Sequence, residues 1–278
     1  MDIGIITGLK PDGKSFEAVQ QFGLRTCQLV SFNPQLATRE IAEAVVRESE
    51  QAGVRVCAMW GGFTGRHVWN FTEGPVTLGL VPKEQRAERV AALKRWADFA
   101  VWIGTPAVIT HCGFIPENVT DPEYEPIVEA IREVAEYCKE KGIEFWFETG
   151  QETPVVLLRT IERVGTGNLG INLDPANLIL YGKGNPIDAL DVIGPYVRNV
   201  HVKDGFYPTN GESLGEQVAV GKGKVDFPKL FEGLHAHGFQ GEWIIEREGR
   251  VGEDEKNRDI IETINYLRQN VVGLHKEV

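Results

Sequence analysis

Four short apolar runs in the second half of the chain each end on a residue that can ionise or coordinate. EFWFE closes on Glu148 and LGINLD closes on Asp174. NVHVKD carries His201, with Lys203 and Asp204 just beyond, and EWIIE closes on Glu246. Carboxylates are rarely buried without a partner, because desolvating a charge costs several kcal/mol. Three of them crowded beside an imidazole call for a cation. A mixed Asp/Glu/His set suits Mn2+, Mg2+, Co2+ or Zn2+, and its oxygen majority leans toward Mn2+ or Mg2+. Taken singly, each residue reads equally as a salt-bridged or solvated strand end. Four on consecutive runs point to one divalent metal held by Glu148, Asp174, His201 and Glu246.

Such a site suits proton abstraction next to a carbonyl, a slow reaction because the carbanion has nowhere to place its charge. A metal at the carbonyl and the neighbouring hydroxyl acts as a Lewis acid and stabilises the enediolate. A carboxylate removes the proton and a second group returns one. Return to the neighbouring carbon gives an isomer; return to the same carbon from across the site gives an epimer. Glu148 and Glu246 are the candidate catalytic pair.

These residues need a frame that brings strand ends together. Apolar runs begin near residues 2, 26, 55, 107, 144, 169, 199 and 242, bounded by Gly, Asn, Asp or Pro, as buried parallel strands read. Amphipathic segments alternate with them, at Arg39–Gln51, Lys83–Ile103, Glu125–Lys141, Val155–Val164, Ile187–Ile193, Phe227–His237 and Asp254–Leu267. Glycines follow several of these as C-caps. Eight strands in alternation with helical segments predict an α/β fold of the (β/α)8 TIM barrel type, with residues 1–278 as one domain. An open doubly wound sheet would want a glycine-rich phosphate loop after the first strand, and GIITGLKPDGK is a poor one. In a barrel, the C-terminal ends of the strands face the active-site mouth.

Other residues fall near that mouth. His111 ends the fourth strand and is a candidate substrate contact. Trp60 and Trp69 offer an apolar wall for a substrate, or plain packing. His67 either lines the mouth or is simply an exposed loop histidine. Glu152 either binds substrate or complements the helix start that follows Pro154. Lys203 either contacts substrate or pairs with Asp174 or Glu246. Cys112 reads as packing, since no activating environment surrounds it in the sequence. The glycines of VGKGKV, with Lys222 and Lys224, read as a plain loop or as a phosphate site.

At these residues the chain resembles the xylose isomerase-like superfamily of sugar (phosphate) isomerases and epimerases. The segments that carry the resemblance are FWFETGQE around Glu148, INLDPANL around Asp174, HVKD from His201, VGKGKVDF from Val220 and WIIERE around Glu246. It implies that Glu148, Asp174, His201 and Glu246 bind one divalent metal, and that the two glutamates form an acid/base pair. It also implies a substrate-contacting role for His111. Two positions depart from the pattern. Asn177 stands where the family's epimerases usually carry a histidine, and the stretch GFYPTNGESLGEQ lacks their arginine. Both positions touch substrate in those enzymes, so Asn177 is a further substrate candidate.

The formal net charge is -11 and the pI about 5.1. An acidic surface disfavours nucleic acid and anionic membrane. A phosphoesterase like the endonucleases that repair abasic DNA would want more ligands and a basic face than six histidines and this charge provide. No window reaches the 18 apolar residues of a membrane span, and the N-terminal stretch lacks the form of a signal peptide. Four scattered cysteines without a CxxC read as reduced thiols in a cytoplasmic protein. The expected partner is a small-molecule carbohydrate, with a homo-oligomer left open. The expected activity is a metal-dependent isomerase or epimerase of a ketose, sugar phosphate or related polyol, with Mn2+ as the first choice of metal. The alternatives are a lyase that dehydrates a keto-inositol-type substrate, and a sugar-binding barrel without turnover.

Overall fold

The computed structural model describes residues 2–249 and 251–271. The ends of the expected 1–278 domain lie outside those residues. Eight parallel strands form a closed barrel: Ile3–Gly8, Thr26–Ser31, Arg55–Gly61, Ala107–Thr110, Glu144–Glu148, Leu169–Leu173, Val197–Val202 and Trp243–Ile245. The ring closes where the first strand pairs with the eighth, Ile3 opposite Trp243 and Ile5 opposite Ile245. The fold is therefore the (β/α)8 barrel that the alternation predicts.

Period-two alternation decides which side chains reach the interior. On the fifth and sixth strands, Phe145, Phe147, Ile171 and Leu173 face the helices and join the main core. Their neighbours Trp146, Glu148 and Asn172 face inward. Trp60, Ile109, Trp146 and Ile244 form a second, smaller apolar cluster inside the ring. Gly170 makes room for it, since a Cβ there would stand 2.5 Å from the Trp146 ring. Above this plug the fourth, fifth, sixth and eighth strands lead into His111, Glu148, Asp174 and Glu246, and the seventh carries His201.

The longer helices follow the predicted segments closely, at Arg39–Ala52, Lys83–Trp102, Tyr124–Glu140, Pro154–Val164, Phe227–Ala236 and Glu253–Asn270. Thr38 and Thr153 cap two of them by accepting the N–H groups of Ile41 and Val156, the usual N-cap arrangement. The segment expected at Ile187–Ile193 is helical only over Leu190–Ile193. There the Asn185 side chain holds the Ile187 N–H at 2.8 Å in a turn and delays the helix. The connection after the first strand holds just one short helix, Glu17–Gln21. A two-stranded ribbon, Asp204–Gly205 with Gln217–Val218, follows the seventh strand. No helix among the described residues is long and apolar enough to cross a membrane.

Candidate metal centre

Glu148, Asp174, His201 and Glu246 come from the ends of four consecutive strands and meet at one point. One ligand atom from each lies within 4.8 Å of all the others. His201 Nδ1 is 3.2 Å from Glu148 Oε1, 3.8 Å from Asp174 Oδ2 and 2.8 Å from Glu246 Oε2. Glu148, Asp174 and His201 are buried, and the Glu246 side chain is nearly so.

Local structure aims each group. Asp174 is the N-cap of the helix Pro175–Leu180, and its Oδ1 accepts the Asn177 N–H at 2.8 Å. That leaves Oδ2 for the centre. His201 Nε2 lies 2.7 Å from Gln28 Oε1, while the Gln28 amide nitrogen donates to Asn172 Oδ1 at 3.2 Å. The amide orientation is thereby fixed, and in the neutral imidazole the proton sits on Nε2 with Nδ1 facing the carboxylates. Glu148 is held from two sides, by the Trp60 indole N–H on Oε2 and by Asn177 Nδ2 on Oε1 at 3.2 Å.

The donor set fits a divalent metal. His201 Nδ1, Asp174 Oδ2 and Glu246 Oε2 are buried, and none makes an aligned hydrogen bond, despite the close approach of Nδ1 to Oε2. Buried polar atoms left this way cost free energy, and a shared cation is the partner that satisfies all of them together. Hard oxygens with one imidazole suit Mn2+, Mg2+ or a neighbouring first-row ion.

The charges answer one another. Burial alone would raise the Glu148 carboxyl, yet His111, His201 and Lys203 hold it well below the usual carboxylate range. Burial would likewise lower His201, but Glu148 and Glu246 push it well above its ordinary value. Lys203 Nζ reaches Glu246 at 3.0 Å, Asp174 at 3.4 Å and Glu248 at 3.3 Å. The lysine makes the ion pair that was one of its two readings, and it also borders the cavity.

A cavity of about 780 Å3 opens above the centre, bordered by Trp60, His67, His111, Asn177 and Lys203. Each of these is a predicted substrate contact. His67 stacks on Phe32 at 5.0 Å, and Trp69 meets His111 edge-on at 5.3 Å. Phe32 and Trp69 stay 41% and 39% exposed, an apolar wall that the fold leaves uncovered. Buried Arg89 donates to the carbonyls of Gly79 (2.6 Å) and Thr77 (2.9 Å), and Thr77 Oγ1 in turn accepts the Val68 N–H at 3.1 Å in the loop that carries His67 and Trp69.

Glu152 does not border the cavity, contrary to its expected place as a substrate contact. It is 3% exposed behind the wall, and burial first, then the charge of Glu148, raises its carboxyl to about 8. Both of its carboxylate oxygens are buried without a hydrogen-bond partner. Cys112 is a packing residue, its thiol raised well above the usual range by burial. Gln28, Glu248 and Phe32 border the site or support it without having stood out in the sequence. The signal for Gln28 was an amide inside the otherwise apolar run TCQLV.

The family described as xylose isomerase-like TIM barrel matches residues 16–270. The chain belongs to that family. Like other members of the xylose isomerase-like family, it has solved relatives. It is similar to a xylose isomerase domain protein from Planctomyces limnophilus, at 37% identity over 98% of both chains with a TM-score of 0.88. It is also similar to inosose dehydratase from Geobacillus thermodenitrificans, 23% identical over 148 residues. That match covers 46% of this chain and 48% of the dehydratase, so the chain matches about half of that protein's length. A 3-keto-D-glucoside 4-epimerase from E. coli shares the fold, at 17% identity, 97% and 99% coverage and a TM-score of 0.69.

Proposed function

We propose that this barrel is a divalent-metal-dependent isomerase or epimerase acting on a keto sugar or related polyol. The observation that carries the reading is the convergence of Glu148, Asp174, His201 and Glu246 beneath a cavity with an aromatic wall. These four side chains would hold the metal, Mn2+ being our first choice. When bound, the metal would supply Lewis-acid stabilisation of negative charge on a carbonyl oxygen. Glu148, kept anionic by its histidine and lysine neighbours, is poised to take a proton from the carbon beside that carbonyl. Glu246, reaching the centre from the eighth strand, is poised to return one. Lys203 orients Glu246 through their 3.0 Å pair. Trp60, His67, His111 and Asn177 border the space a sugar would occupy and would orient its hydroxyls. One domain would carry the whole activity. Four free, buried thiols and the absence of a membrane-crossing helix among the described residues suit a cytoplasmic enzyme.

A second reading, dehydration of a keto-cyclitol, draws on the similarity to inosose dehydratase. It shares the first proton abstraction and differs in the loss of hydroxide from the next carbon. Incubating the Mn2+-loaded protein with keto sugars and inososes in D2O separates the two. Carbon-bound deuterium at unchanged composition supports isomerisation or epimerisation. Loss of water from the product supports the lyase. Metal binding without deuterium uptake by any of these compounds would leave a sugar-binding barrel.

A further inference from the structure

We infer that the substrate is an uncharged keto sugar or cyclitol and not a phosphate ester; this deepens the proposed carbonyl chemistry and rests on it. In barrels of this kind a substrate phosphate is commonly seated by the loops after the seventh and eighth strands and by a helix N-terminus. Free backbone N–H groups and the positive end of the helix dipole make such places attractive to anions. Both places are closed here.

After the seventh strand, the VGKGKV loop has the glycines of an anion-binding turn, but its N–H groups point inward to a protein carboxylate. Gly221 and Gly223 donate to Asp204 Oδ2 at 2.9 and 2.8 Å, while Val225 and Gly205 donate to Oδ1 at 3.1 and 2.8 Å. Asp204 is fully buried. A Cβ at Gly223 would stand 2.1 Å from Oδ1, so the carboxylate fills the space that an incoming phosphate oxygen would need. The protein supplies its own anion at this turn.

After the eighth strand, the helix Glu253–Asn270 carries Glu253, Asp254 and Glu255 in its first turn. Those acids already complement its positive end. Beside Glu148 and Glu246, whose charge the metal would offset, two further carboxylates border the cavity, Glu248 and Glu253. Of the bordering cations, Lys203 is held by three carboxylates and Arg247 by Asp259 at 2.7 Å. Lys256 sits one helical turn from Glu253, on the same face. A phosphate dianion would meet Glu248 and Glu253 there, with Lys203 and Arg247 already paired. Sugar hydroxyls suit the same surface, because they donate to carboxylates, and the apolar ring face can lie against Phe32 and Trp69.

Two measurements on the intact protein test this. The first compares deuterium uptake from D2O by neutral ketohexoses and inososes with uptake by their phosphate esters, using Mn2+-loaded protein. We expect the neutral compounds to exchange at least about tenfold faster; faster exchange of the esters overturns the inference. The second follows the 31P line width of fructose 6-phosphate with Mg2+-loaded protein. An unchanged line supports the inference, and broadening that neutral fructose reverses overturns it. If no compound exchanges at all, the carbonyl chemistry fails, while the line width still decides the question of charge.

Discussion

His201 and Gln28 face each other across the barrel, Nε2 to Oε1 at 2.7 Å. An amide oxygen can only accept, so this bond fixes which imidazole nitrogen remains for the three carboxylates. Outer partners of this kind typically contribute tenfold to hundredfold in metal affinity. Gln28→Leu keeps the bulk of the side chain and removes the acceptor. Its Mn2+ dissociation constant, measured by calorimetric titration, is expected to rise by about tenfold to hundredfold, with Gln28→Glu retaining tight binding. An unchanged constant in the leucine variant would reduce Gln28 to a packing residue.

Ligand-induced stabilisation gives a second check. A metal present at a thousandfold excess over its dissociation constant stabilises the folded state by about 4 kcal/mol. In a chain of this size that raises the melting temperature by roughly 7 °C. Adding Mn2+ to chelator-treated protein should produce such a shift, and Asp174→Ala should abolish it. Equal shifts in both proteins would place the ion elsewhere.

Glu246→Gln separates chemistry from binding. The amide keeps the size and one oxygen, so the metal should remain, with weakened affinity. Turnover should fall by about 100-fold to 10,000-fold, the usual contribution of a positioned acid or base, while Glu148 can still exchange the abstracted proton with solvent. Wild-type turnover in a metal-loaded variant would exclude the paired-carboxylate mechanism.

Glu152 supplies a pH signature. Its carboxyl is raised to about 8 by burial, so the folded protein binds a proton there more tightly than the unfolded chain does. The stabilisation is complete below the ordinary glutamate range and is lost as pH rises through about 8. Thermal unfolding of metal-free protein should therefore show stability falling between about pH 5 and pH 9, and Glu152→Gln should flatten that slope. Identical slopes would mean that Glu152 is ionised in the fold.

The contrast between Glu152 and the four converging residues marks the reach of the sequence. A carboxylate that ends an apolar strand has its direction set by the pleat, so Glu148, Asp174 and Glu246 could be placed from spacing alone. Glu152 lies in a turn, where nothing periodic tells outside from inside. Gln28 was legible as an oddity in an apolar run, but its partner is 173 residues away in sequence, and only barrel closure brings the two together. The long helices were plain from their periodicity. Glu17–Gln21 was not, because five residues carry little more than one turn of pattern.

The buried carboxylate of Asp204 has a consequence for how such an enzyme can change. By gripping Gly205 at one end and Gly221, Gly223 and Val225 at the other, it ties the two ends of the 206–220 excursion to one point. Doubling the length of a loop closed in this way costs about 0.6 kcal/mol. Length added between 207 and 213 would therefore alter what the mouth accepts at small cost, while His201 and Lys203 at the root keep their places. The far end of the excursion is tied to the site as well, since Gln217 donates to the Glu246 carbonyl at 3.0 Å and accepts the Glu248 N–H at 3.1 Å, so the span free to vary in length is the tip and not its roots.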